Sequence, residues 1–73
     1  MTLGDFKAVL TLFDRATDGD GYTVEVELST RRSLNGPIGS PDLGPNLFYI
    51  QQDGIGMTYF SAGDVVSIRM ELP

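Results

Sequence analysis

The chain has 73 residues, no cysteine, no histidine, and ten acidic against five basic side chains, for a formal net charge of −5. Those counts exclude disulfide staples, thiol nucleophiles, cysteine–histidine zinc sites and histidine acid–base chemistry. They also argue against holding nucleic acid by bulk positive charge, though not against a local site.

A domain this short buries only about 60% of its unfolded surface, so its own core is marginal and oligomerisation is the reinforcement left open. No stretch approaches the roughly 20 apolar residues of a membrane span. The start, Met1 to Asp5, lacks the basic head of a signal peptide. The expectation is one soluble, cytoplasmic domain over residues 1–73, with no membrane partner, no cofactor and no metal.

Residues 3–15 read as a helix. Leu3, Phe6, Leu10 and Phe13 recur at i, i+3, i+7 and i+10, and Val9 and Leu12 widen the apolar stripe. Thr2 is the expected N-cap, and Asp5 suits the positive end of the helix dipole. The stripe either packs on a sheet or meets a partner. Thr17 to Gly21 then breaks the pattern with two glycines and two aspartates, a turn composition. The DGDG run invites a calcium reading, but the twelfth position counted from Asp18 is Ser29 where an EF-hand loop needs glutamate. An acidic connector is the better account.

From Tyr22 the period changes to two. Tyr22, Val24, Val26 and Leu28 alternate with polar residues, the mark of a half-buried strand. Thr30 to Ser33 is a polar turn, and Leu34, Gly36 and Ile38 carry a second strand. Gly36 inside a strand predicts a sharp bend or a close backbone approach, and Pro37 beside it predicts an edge or bulge. Residues 39–45 are a Gly/Pro-rich loop. Leu47 to Ile50 is apolar at every position and predicts a strand covered on both faces. Asp53-Gly54 marks a hairpin turn. Ile55 to Phe60 and Val65 to Leu72 are the fourth and fifth strands, joined by a tight link over residues 61–64. The barrel region thus spans about residues 22–72.

The spacing is more informative than the order. After Val26-Glu27-Leu28 comes Gly36, then Ile38 at +2, Asp42 at +6, Asn46 at +10 and Leu47 at +11. This set resembles the first signature of the Sm-like family, which includes LSm proteins and bacterial Hfq. The strand half of the second signature is matched by Val65-Val66-Ser67-Ile68. The resemblance covers about residues 22–70, and a helix stands where the family has one. It implies a mostly β fold: an N-terminal helix followed by a five-stranded, strongly bent antiparallel Sm-like (SH3-like) barrel. It further implies that strand four of one subunit pairs with strand five of the next in a homo-oligomeric ring of five to seven subunits. Met57, Tyr59, Phe60, Val66 and Ile68 would form that interface. A monomeric SH3-like barrel is the plainer alternative.

The resemblance also implies where RNA would enter. In the family an Asn reads a base edge, an Asp orients it, an aromatic two residues after the Asp stacks on the base, and the Arg of an Arg-Gly turn packs on its other side. Asp42 and Asn46 match. Gly44 stands at the stacking position and Ser61-Ala62 at the Arg-Gly position, so both planar partners are missing. Stacking is worth about 1–3 kcal/mol per base. Asp42 and Asn46 read equally well as turn-capping residues. Arg31-Arg32 is the only basic pair, a candidate phosphate contact or a solvated turn. Gln51 and Gln52 suit base edges or water. No nucleophile–base pair and no phosphate-cradling glycine loop is present, so an enzyme is not expected. Two functions follow as expectations: an RNA-binding or RNA-regulatory ring, or a protein-interaction or structural ring that has lost RNA binding.

Overall fold

A computed structural model describes residues 1–40 and 44–71. Helix α1 (Leu3–Ala16) leads into an antiparallel sheet of five strands: β1 (Thr23–Leu28), β2 (Ser33–Gly39), β3 (Leu47–Gln52), β4 (Gly56–Ser61) and β5 (Val65–Glu71). Among the described residues, no helix is long and apolar enough to cross a membrane.

The helix begins where its caps dictate. The Thr2 hydroxyl accepts a hydrogen bond from the Asp5 amide at 3.1 Å, satisfying one of the orphan N–H groups of the first turn. It ends in a Schellman arrangement. Gly19 N–H donates to the Asp14 carbonyl at 3.1 Å, and Asp18, at φ 53°, takes the left-handed position. An aspartate there bears backbone strain and sets a negative charge at the negative end of the dipole. Asp18→Gly is therefore expected to stabilise the fold by about 1 kcal/mol, read as a rise in Tm of roughly 4–8 °C. A fall in Tm would show that the carboxylate makes a contact the fold needs.

Only part of the predicted helical stripe is interior. Phe6 is fully buried, and Leu3, Leu10 and Phe13 are half-buried against the core, but Leu12 is 59% exposed. A single sheet face meets one narrow side of a helix, and Leu12 lies off it. Tyr22 packs edge-on to Phe13 and donates its hydroxyl to the Leu10 carbonyl. Burial first, then the nearby Asp14 charge, raises its pKa above the ordinary tyrosine value.

The strand order is β4-β3-β2-β1-β5, so every strand but the outer two has two neighbours. β2 is shared. Its first five residues, Ser33 to Pro37, pair with β1, while Ile38 and Gly39 pair with β3. The change of partner occurs between Pro37 and Ile38, next to Gly36, which stands at φ 145° and where a Cβ would strike the Gln51 carbonyl. Of the bend or close backbone approach expected at Gly36, the close approach is present. The sheet stays open, with no pairing between β4 and β5.

The core lies where α1 packs on the sheet. Phe6 from the helix meets Phe48 of β3 and Phe60 of β4 edge-on, at ring separations of 4.6 and 6.0 Å. Val24, Val26, Leu34, Ile50 and Val65 complete the buried set with Ala62. Several expectations need correction, among them Gly39 and Ser61, expected in loops, which are the last residues of β2 and β4. β3 is not equally covered on both faces: Phe48 and Ile50 are buried, but Leu47 and Tyr49 are half-buried, because their face has only cross-strand neighbours. β4 starts at Gly56, since Ile55 is spent closing the turn through its N–H to the Gln52 carbonyl. Ser33, expected in the turn, is the first residue of β2. The expected last residue of β5, Leu72, lies outside the described residues.

Candidate functional site

Three connections meet at one end of the molecule. The 3-10 turn Ala62–Asp64 links β4 to β5. Its Ala62 N–H donates to the Asn46 carbonyl at 3.0 Å, and its Asp64 carbonyl accepts from Ser29 N–H at 2.8 Å. Two backbone bonds therefore tie the segment before β3 and the β1–β2 turn to the same short turn. Of the residues expected at an RNA site, Gly44, Asn46, Ser61 and Ala62 are brought together here. Asp42 lies outside the described residues.

Their surroundings differ from one another. Asn46 is exposed, its backbone carbonyl, not its amide, makes the bond to Ala62, and among the described residues its side chain has no hydrogen-bond partner. Ser61 is half-buried, and its hydroxyl accepts from Gly63 N–H at 3.3 Å, capping the 3-10 turn. Ala62 is 0% exposed and belongs to the core. Whatever this end contacts, it is not the Ala62 side chain. Gly44 offers no planar surface.

The expected interface residues split. Met57, Tyr59 and Val66 are exposed at 48%, 49% and 58%. Phe60 is buried at 5% and stacks at 6.2 Å with Phe48, so its side chain is committed to the chain's own core. Ile68 is half-buried and packs on that core. The physical reason is the alternation of a strand: Tyr59 and Phe60 are adjacent, so they must face opposite sides. β4 carries no charged residue, no proline and an unpaired outer edge. β5 has a register shift opposite Glu27 and Leu28, where Glu27 faces Ser67 and Leu28 faces Val65, so Val66 is the extra, unpaired residue of a bulge.

Two features were not legible as sites. Tyr49 and Tyr59 are cross-strand partners with rings 5.7 Å apart on the outer face, and Tyr49 occupies the space beside Gly39 where a Cβ would sit. Only strand register pairs them. A cleft of about 360 Å³ with a mixed polar and apolar lining opens over Gly36, lined among others by Asn35, Gln51, Asp53, Ile55 and Glu71. Asn35 is held there by its amide donating to the Glu71 carboxylate at 3.2 Å. Gln52 accepts from the Thr58 hydroxyl at 3.1 Å and so braces the β3–β4 hairpin rather than facing water. A more apolar groove of about 660 Å³ runs past Tyr22, Pro37 and Met70.

Arg31 and Arg32 are both exposed in the β1–β2 turn. The only ion pair among the described residues joins Arg69 to Glu25 at 2.7 Å, with Arg69 largely in solvent. Comparison with known proteins finds no matching family model, no matching curated protein and no matching solved structure.

Proposed function

We propose that this chain is the subunit of a homo-oligomeric ring of Sm-like type, an open and strongly bent barrel whose assembled form binds RNA. The observation that carries the reading is the β4 edge. A six-residue strand without charge or proline, exposing Met57 and Tyr59, is the kind of edge that proteins blunt unless another chain covers it. The other free edge of the same sheet, β5, presents Val66. Head-to-tail pairing of β4 with the β5 of a second copy covers both edges, and such pairing closes into a ring when the rotation permits. It also supplies the apolar burial that a 73-residue chain is short of.

The RNA half of the reading rests on Asn46. Asn46 is exposed where the β4–β5 turn and the segment before β3 meet, its amide has no hydrogen-bond partner among the described residues, and an Asn can bond a base edge. A second reading, a protein-interaction or structural ring, is favoured by the net charge of −5 and by Gly44 and Ser61 at the positions where planar partners are missing.

Native mass spectrometry at micromolar subunit concentration, with and without U-rich and A-rich oligoribonucleotides, tests both halves. The expected result is a closed oligomer that takes up RNA, with Asn46→Ala retaining the oligomer and losing about tenfold in RNA affinity. A monomer alone overturns the assembly. An intact oligomer that ignores RNA at low salt leaves the protein-interaction ring.

A further inference from the structure

The chain has five basic side chains. Lys7 and Arg15 are spread along α1, and Arg69 is committed to Glu25. Arg31 and Arg32 are the two that lie side by side, both exposed, and among the described residues neither is in a salt bridge. Glu27 and Asp64 lie on neighbouring backbone without pairing to them.

The backbone at Arg31 sharpens the point. Arg31 N–H donates to the Leu28 carbonyl at 2.9 Å, and Leu28 N–H donates to the Arg32 carbonyl at 2.8 Å. This is a three-residue hairpin whose last loop position is left-handed, a position at which glycine is preferred. Arg31 occupies it at φ 67°. As at Asp18, the conformation carries strain that glycine would relieve, and here it falls on an exposed arginine beside a second one. The same turn is joined through Ser29 to Asp64, and the turn containing Asp64 is joined through Ala62 to Asn46. The two arginines therefore sit at the end of the molecule that carries Asn46.

We infer that the Arg31-Arg32 turn is the phosphate-binding contact for single-stranded RNA, supplying from the β1–β2 hairpin the cation that the β4–β5 turn lacks. The inference rests on the RNA reading of the Asn46 end. Arginine suits the role, because its planar fork bonds phosphate oxygens in pairs and keeps its charge at any working pH. In a ring the turn is repeated once per subunit, which offsets the acidic balance where the strand would run. An acidic protein segment is the competing partner; the neighbouring amide and the Ser61 hydroxyl favour a nucleotide, which has both phosphates and base edges.

The test measures binding of U-rich and A-rich oligoribonucleotides, and of poly-glutamate, across a salt series for wild type, Arg31→Ala/Arg32→Ala, Arg31→Gly and Asn46→Ala. The double variant is expected to weaken RNA binding at least tenfold for both sequences and to lower the log–log salt slope by about 1.4 per engaged subunit, at about 0.7 per lost phosphate contact. Asn46→Ala is expected to weaken binding with the slope unchanged. Arg31→Gly, relieved of backbone strain, is expected to keep a Tm at or above wild type while binding RNA more weakly. If wild type binds RNA and the arginine variants keep its affinity and slope, this inference falls and the RNA reading stands. If wild type binds no RNA, both fall, and arginine-dependent binding of poly-glutamate would then assign the turn to an acidic partner. A lower Tm for Arg31→Gly would make Arg31 a structural residue and overturn the argument from strain.

Discussion

Gly36→Ala is expected to cost at least about 3 kcal/mol and to leave the chain at the edge of folding. Two independent penalties fall on the same methyl group. The backbone stands at φ 145°, a region that residues with a Cβ avoid. The added carbon also runs into the Gln51 carbonyl and presses on the Ile50 Cγ2. The first contact is backbone, so no rotamer change relieves it. The neighbours cannot yield easily, because Ile50 is fully buried and Gln51 is held in the ladder with β4. Small domains have about 0.05–0.15 kcal/mol of stability per residue, so a cost of this size removes a large share of the whole. Urea unfolding should show the midpoint displaced by roughly 2 M or more at unchanged slope. Gly4→Ala, in α1 with open space around it, is the control and should be neutral or stabilising. A Gly36→Ala protein with the wild-type midpoint would mean that the strands do not approach closely at Gly36.

Phe6→Ala should cost about 3–5 kcal/mol, the range for deleting a buried aromatic. Phe6 is the one fully buried side chain of α1 and sits between Phe48 and Phe60. Truncation leaves a cavity between helix and sheet and removes two edge-to-face contacts. The helix is otherwise held by half-buried residues and by the Met1 amino group, which donates to the Val65 carbonyl at 2.7 Å. α1 also contacts the Ala62–Asp64 turn, so its loosening should reach the Asn46 end. Thermal melts followed by far-UV circular dichroism should show a large loss of Tm and less helical signal at 25 °C. Phe6→Leu, which keeps most of the volume, should cost about half as much. If Phe6→Ala melts with wild type, α1 is not part of the cooperative core, and the stability of the sheet has another source, such as assembly.

The residues show how far local pattern reaches. The cap at Thr2 and the start of α1 follow from the side-chain order alone, as does β1, where alternation puts Val24 and Val26 inside. The close approach at Gly36 was legible because a glycine in a strand has few other uses. The turn at Asp53-Gly54 was legible for its left-handed glycine, φ 78°. In contrast, Tyr59 and Phe60 are both apolar and adjacent, and periodicity cannot say which one the core will accept. Leu12 fits the stripe as well as Leu10 does, yet only one of them meets the sheet. The strain at Arg31 leaves no trace in composition, since it arises from the loop length between two paired strands.

One helix, five antiparallel strands and the glycine that lets two strands approach closely are written in the residue order, because caps, alternation and conformational freedom act over a few residues. Tertiary structure decided which apolar side chains are spent in the core, that the sheet remains open between β4 and β5, and that Asn46, Ser61 and the Arg31-Arg32 turn share one end. Those outcomes depend on strand register and on two backbone hydrogen bonds between residues at least 16 positions apart, and separation of that kind is invisible to any local pattern.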